Sequence, residues 1–328
     1  KIDKKLFFLI EGESPLTMAK STGLGLIELS MCMQELKPDI VLTVGDRFET
    51  MATTLASVYM NIPLAHTMGG EISGTIDESI RHAVTKFANI HFPASKESAT
   101  RIYKLGESKK NIFHVGCPRI DLVVQVLKKN NLAEINKRIF KEGVGDYLDL
   151  TKPFLIVSQH PVTTEYENTE KHFSNTLRAV QKVGMQTIFL WPNADAGSGK
   201  IALSIRKLRE KKEEMKSHFF KNLAAEDYLK LMQKTSCLVG NSSSGIREGA
   251  FIGTPVVNIG SRQAGRERGK NVIDCSNKVE DIYKSIITQL KKKKYKSSKI
   301  YGDGKSGQRI SKVLANLNNI KTQKKLGY

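Results

Sequence analysis

Short runs rich in valine and isoleucine alternate along the chain with longer segments in which apolar positions return every third or fourth residue. The first pattern fits buried strands and the second amphipathic helices. In the first half the pattern predicts a helix over 18–36, ended by Pro38, because the residue before a proline is kept out of the helical region. A buried strand follows in DIVLTV (39–44), then a helix over 48–60 and a short strand in IPLAH (62–66). A helix over 77–88 starts near Thr75 or Asp77. The strand NIHF (89–92), a helix over 95–105 and the strand NIFHV (111–115) continue the series. The second half predicts strands in FLIVS (154–158), QTIFLW (186–191), CLVG (237–240) and PVVNI (255–259), and helices over 169–183, 200–212, 225–234 and 244–252. Alternation of this kind over two halves implies an α/β fold of two Rossmann-like, doubly wound domains. The domain boundary is expected at 150, giving domains 1–150 and 151–328. The polar, lysine-rich stretch 128–152 reads as a linker, and the final helix is expected to pack back on the first domain. Ligands of such folds bind beyond the carboxyl ends of the strands, so the cleft between the domains is the expected site.

Composition adjusts this picture in three ways. The 328 residues are 40% hydrophobic and 26% charged, which is globular composition. No apolar run is long enough for a bilayer, and no signal-peptide pattern opens the chain, so no membrane partner and a cytoplasmic location are expected. The four cysteines, Cys32, Cys117, Cys237 and Cys275, are far apart and lack CxxC spacing, which argues against a zinc site and for core thiols. The net charge of +19 leaves two readings: a nucleic-acid binder, or a basic surface with a site for an anion. No zinc-finger or RRM signature appears, and no basic stripe is interleaved with aromatics, so no nucleic-acid partner is expected.

The candidate chemistry lies in the loops after strands. VLTVGDRFET presents Asp46 after a strand and a glycine. PLAHTMGGEISGTIDESIRH gathers Met68, Glu71, Asp77, Glu78 and Arg81 beside glycine-rich turns. LVGNSSSGIREGA places Ser242, Ser243 and Ser244 between a strand and a helix. Two readings of these serines stand side by side, a plain N-cap or an anion site of backbone N–H and O–H donors. Glu248, spaced to face the same helix end, suits a ribose diol. GSRQAGRERG adds Arg262, Arg266 and Arg268, whose forks suit phosphate. His160 follows the strand FLIVS and reads as a structural residue or a ligand contact. No GxxxxGKS/T loop and no GxGxxG turn is present, so neither P-loop hydrolysis nor a nicotinamide cofactor is favoured.

GDRFE at Gly45, HxxGGEISGTIDESIRHAVTK from His66, QHPVTT at Gln159, PNADAGS at Pro192, GNSSSGIRE at Gly240 and GSRQAGRE at Gly260 together resemble the hydrolysing UDP-N-acetylglucosamine 2-epimerases. That family includes bacterial enzymes of sialic-acid synthesis and the epimerase half of the bifunctional vertebrate enzyme. The resemblance implies a glycosyltransferase-B type fold, with the nucleotide on the C-terminal domain and the sugar facing the N-terminal one. It implies anti-elimination of UDP to a 2-acetamidoglucal, then hydration to N-acetylmannosamine, with no cofactor and no metal. Asp46 and Asp77 match family acids that transfer the protons, with Glu78 as the alternative to Asp77. His160 matches a histidine at the leaving diphosphate. Asn193, Ser242, Ser243, Glu248 and Arg262 match nucleotide contacts, and Ser244 is expected with them. Met68, Glu71, Arg81, Asn193 and Asp195 are expected on the substrate. A homodimer or homotetramer is expected by resemblance alone.

Two departures from the family pattern alter these expectations. Met68 stands where the sialic-acid enzymes carry a third acid, and a thioether cannot transfer a proton. It reads as a selector for a less polar sugar, as the mark of a site that binds nucleotide sugars without turnover, or as a core methionine. The first reading points to the legionaminic-acid branch and UDP- or GDP-linked N,N'-diacetylbacillosamine. The second departure is the opening of the chain at Lys1, close to KLFFLI (5–10), which reads as a later strand of the family pattern, without the first strand, glycine turn and arginine with which the family begins. The chain is therefore expected to be a fragment or truncated form, with a shortened N-terminal sheet, exposed apolar surface and less than full activity.

Overall fold

The computed structural model describes residues 2–12, 14–128, 139–193, 197–210, 215–317 and 320–325. The chain forms two compact units, residues 1–118 with 301–328, and residues 119–300. The units therefore part at Pro118 and Tyr301, where the sequence reading placed a boundary at 150. Residues 129–138 of the expected linker lie outside the described residues. Its remainder packs in the second unit, where Ile139, Leu148 and Leu150 enter the core. These three apolar side chains anchor a stretch that composition alone presents as polar.

The first unit begins with α1 (Pro15–Leu36). Ser14 and Thr17 close a reciprocal capping box and Pro15 occupies the first turn, so the helix starts ahead of the expected Met18. It ends at Lys37, in the left-handed region at φ 46°, before Pro38. A parallel sheet follows, β1 (Val41–Val44), β2 (Leu64–Thr67) and β3 (Ile90–Phe92), in the order β1-β2-β3. Between the strands run α2 (Phe48–Tyr59) and α3 (Asp77–Phe87), and α4 (Lys96–Lys104) comes after β3. β2 is buried throughout, whereas β1 lies at the sheet edge with Leu42 and Val44 exposed and only Thr43 buried. The expectation of a fully buried first strand is thus corrected: β1 pairs on one side only. Two other expected strands do not form. KLFFLI carries no regular structure and lies along α1, with Phe8 against Gly25 and the Ile10 N–H donating to Ser21 Oγ. NIFHV runs beside β3 without forming a regular strand: Ile112 bridges His91, and the N–H groups of Phe113 and Val115 donate to the carbonyls of His91 (2.9 Å) and Pro93 (3.4 Å).

The second unit opens with α5 (Pro118–Lys128) and holds a sheet in the order β10-β9-β8-β5-β6-β7-β4. Its strands are β4 (Val144–Gly145), β5 (Leu155–Ser158), β6 (Thr187–Leu190), β7 (Ser217–Phe220), β8 (Cys237–Gly240), β9 (Val256–Ile259) and β10 (Val272–Cys275). All neighbours are parallel except β4, which pairs antiparallel with β7. Leu155 and Val157 enter one apolar cluster with Phe173 and Ile282, while Phe154 and Ile156 enter another with Leu231 and Leu238. Both faces of β5 are therefore covered, which is why FLIVS reads as a continuous apolar run. The covering helices include α6 (Thr169–Val183), α7 (Ser198–Glu210), α8 (Ala225–Lys234) and α11 (Val279–Leu290).

The helix expected over 244–252 is broken. Arg247, at φ −92° and ψ −73°, separates α9 (Ser243–Ile246) from α10 (Glu248–Ile252). The last helix, α12 (Ser306–Ala315), belongs to the first unit, where Ile310 meets Ala65, Ile90 and Phe92.

Candidate functional site

In the first unit the acids sit just past the carboxyl ends of the strands. Asp46 follows β1 and Gly45, which has φ 82°. Its carboxylate is ion-paired with Arg81, a residue of α3 that is 1% exposed. The Arg81 guanidinium donates to Asp46 Oδ2 from Nε (3.0 Å) and Nη2, to the Glu71 carbonyl from Nη1 (2.7 Å) and to Ser73 Oγ (3.2 Å). One buried guanidinium thus fixes the Asp46 loop against the loop that precedes α3. Asp77 and Glu78 stand in the first turn of α3, where carboxylates are favoured by the helix dipole. Glu78 accepts from the Ser73 N–H (2.9 Å) and lies 3.4 Å from His82 Nε2. Glu71 is buried next to this cluster.

His66 was not among the residues expected at the site. Its ring is wholly buried and donates from Nε2 to the Gly45 carbonyl at 2.7 Å. Burial pushes its pKa down to about 4, so the ring is a neutral prop for the turn that presents Asp46. Gly69 explains the next position: a Cβ there would stand 2.9 Å from both His66 Nδ1 and Thr85 Oγ1. Met68 lies at the end of β2 with φ 65°, a left-handed conformation uncommon for a side chain of this size. It is 8% exposed, and its sulfur lies 3.9 Å from the Cys117 thiol.

In the second unit the strand order reverses between β5 and β8, a topological switch point of the kind that opens a ligand crevice in doubly wound sheets. The loops after these two strands are joined. The His160 N–H donates to Asn241 Oδ1 (2.7 Å), and Asn241 Nδ2 donates back to the His160 carbonyl (2.9 Å). The close approach demands Gly240, at φ 136°, because a Cβ there would run into the Ser158 carbonyl. The Asn193 N–H donates to His160 Nδ1 at 3.1 Å, which leaves Nε2 to carry the proton of a neutral ring. Asn193 thus meets His160 through its backbone. Asp195 lies outside the described residues.

The serine cluster is more internally bonded than its sequence suggests. Ser244 Oγ lies 2.6 Å from the Tyr228 hydroxyl and 2.9 Å from Ser242 Oγ, and burial pushes the Tyr228 phenol up. Ser243 Oγ accepts from Arg247 at 3.4 Å. With α9 only 4 residues long, little helix dipole gathers at its start, so donors here are the local N–H and O–H groups. Glu248, buried, accepts from Arg119 Nε at 3.2 Å. Arg262 Nη1 donates to the Asn241 carbonyl at 3.2 Å, and Gln263 Nε2 does so at 2.9 Å. Arg119 and Tyr228 were not predicted as site residues; their partners are remote in sequence, and no local motif marks them. Asn241 and Gln263 lie inside the quoted motifs GNSSSGIRE and GSRQAGRE but were given no role of their own. Among the described residues no group of three or more His, Cys, Asp or Glu is placed to hold a metal, and no helix is long and apolar enough to cross a membrane.

The profile of the family described as UDP-N-acetylglucosamine 2-epimerase matches residues 1–315. The chain is 35% identical over 302 residues to the UDP-N,N'-diacetylbacillosamine 2-epimerase (hydrolyzing) of Legionella pneumophila, covering 91% of this chain and 76% of that protein. It is 33% identical over 300 residues to the GDP/UDP-N,N'-diacetylbacillosamine 2-epimerase (hydrolyzing) of Campylobacter jejuni, covering 91% and 75%. Among solved structures, that of UDP-GlcNAc 2-epimerase from Neisseria meningitidis bound to UDP-GlcNAc matches with a TM-score of 0.78 at 17% identity, over 94% of this chain and 84% of that one. This likeness establishes the α/β fold of glycosyltransferase-B type.

Proposed function

The chain belongs to the UDP-N-acetylglucosamine 2-epimerase family, and from that premise we propose that it is a hydrolysing 2-epimerase that converts UDP-N-acetylglucosamine to N-acetylmannosamine and UDP. The observation that carries this reading is the Asp46–Arg81 pair, held by the same helix whose first turn bears Asp77 and Glu78. A 2-epimerase of this type must take a proton from C2 and later return one on the opposite face. An ion-paired carboxylate is a proton acceptor, which suits Asp46 as the base. Asp77, with Glu78 beside it, then serves as the donor. Loss of the C2 proton and cleavage of the C1–O bond leave a C1=C2 double bond, and UDP departs with the electron pair. Water then adds its oxygen to C1 while C2 regains a proton. His160, with its proton on Nε2, is suited to donate to the departing diphosphate. Arg262, Ser242 and Ser243 are the further candidates for phosphate, and Glu248 for the ribose diol.

A second reading keeps the reaction and changes the sugar to UDP- or GDP-linked N,N'-diacetylbacillosamine. It is favoured by Met68, which stands where the sialic-acid enzymes carry an acid and whose thioether lies 3.9 Å from the Cys117 thiol. The Legionella and Campylobacter relatives named for that sugar support it. By resemblance the enzyme is expected to work in the cytoplasm as a homodimer or homotetramer.

The test follows each sugar nucleotide by proton NMR in D2O. A free manno-configured product with deuterium at C2 is expected, and the nucleotide sugar that reacts identifies the substrate. Asp46→Asn is expected to slow UDP release by about 10²–10⁴-fold, the usual worth of a general base. UDP binding with neither product nor exchange at C2 would leave a nucleotide-sugar-binding protein without turnover.

A further inference from the structure

Directly behind the joined loops of His160 and Asn241 lies a small cavity, bounded also by Gln159, Thr169, His172 and Asn277. The space open to the centre of a water-sized sphere is about 10 Å³, close to what a single water molecule requires. Two polar atoms among its walls are buried without a hydrogen-bond partner among the described residues, Gln159 Oε1 and Thr169 Oγ1. Both residues are 4% exposed. The large majority of buried polar side-chain atoms in folded proteins are satisfied, by protein or by ordered water. Turning the Gln159 amide over does not remove the problem, because an NH2 group would then face the same space.

We propose that this cavity binds one water molecule that is a fixed part of the loop carrying His160. The water donates to Gln159 Oε1 and bonds Thr169 Oγ1, tying the residue before His160 to the first turn of α6. A neutral occupant fits better than a cation, since no carboxylate lines the cavity and two histidines do. The bridge matters because it braces the loop that carries His160. Its N–H is held by Asn241 and its Nδ1 by the Asn193 N–H, and both depend on the loop that Gln159 begins. Gln159 and Thr169 are therefore positioning residues for the phosphate end of the site, an inference that rests on the nucleotide reading given above.

Crystal structures that resolve ordered water, paired with calorimetric titration of UDP, test this for the parent chain, Thr169→Ser and Thr169→Val. A water bonded to both side chains is expected in the parent and in Thr169→Ser, with similar UDP affinity. Thr169→Val keeps the shape, loses the water and is expected to bind UDP roughly tenfold more weakly. Gln159→Met removes the other partner and is expected to do the same, should the valine variant not fold. A dry cavity in the parent overturns the proposal, as does a folded variant that lacks the water and binds UDP as the parent does. Failure of the parent chain to bind UDP would instead overturn the nucleotide reading, and the crystal structures would still decide the water.

Discussion

A wholly buried histidine makes stability depend on pH. His66 titrates near 6.5 when unfolded and is held at about 4 by burial in the folded chain. Between these values the unfolded chain binds a proton that the folded chain refuses. Its contribution is therefore complete above pH 6.5 and is lost as pH falls towards 4. At about 1.4 kcal/mol per pH unit, the gap amounts to about 3 kcal/mol. Urea unfolding at pH 7, 6, 5 and 4 should show this loss, and a His66→Gln variant should show a shallower slope. The acids nearby were legible from the sequence, because GDR and TIDE follow strand-like runs and glycine turns. The histidine's role was not, since its partner is the Gly45 carbonyl, 21 residues away, and a carbonyl leaves no trace in the residue type.

At the scale of elements, α3 is tied at both ends. Arg81 binds its first half to the Asp46 loop, and Lys324 caps its last turn. The Lys324 ammonium donates to the carbonyls of Thr85 (3.3 Å), Lys86 (2.7 Å) and Ala88 (2.6 Å). It also pairs with the buried Glu107 at 2.6 Å. Burial of Glu107 would raise its pKa, but hydrogen bonds from His91, Lys324 and Lys86 overcome this and hold it at about 2. Lys324→Met should therefore destabilise the first unit by about 1–3 kcal/mol, seen as a lower urea midpoint. The helices and strands themselves were mostly readable from periodicity, and α1 ends before Pro38 as expected. Three readings failed because periodicity does not report pairing. KLFFLI has the composition of a strand but no strand partner, NIFHV makes one bridge and two backbone bonds beside β3 without becoming a strand, and the apolar pattern over 244–252 continues across the break at Arg247.

For the whole molecule, the charge of +19 admitted a nucleic-acid reading, whereas the family and the switch point in the second unit favour an anionic nucleotide. UDP at about 100 times its dissociation constant should stabilise the protein by about 2.7 kcal/mol, raising the thermal midpoint by several degrees. Hydrogen exchange should slow around residues 158–161 and 240–248. An affinity for DNA or RNA that falls steeply with salt, without this protection by UDP, would favour the nucleic-acid reading.

The α/β class and most elements of this protein are determined by the sequence alone, because burial on one stripe of a helix or both faces of a strand imposes a local apolar period. The family follows from the same source, since its motifs are long, ordered and contiguous. What the tertiary structure alone decided is which chain-distant groups meet. Asp46 finds Arg81 across 35 positions, Glu248 finds Arg119 across 129, and Ser244 is taken by Tyr228. The division of the chain at 118 and 301 is of the same kind, because it depends on which surfaces pack together, and no change of composition marks Pro118. Hydrogen bonds and ion pairs act over a few ångströms of space, whatever the separation along the chain, so only the folded arrangement selects the partner.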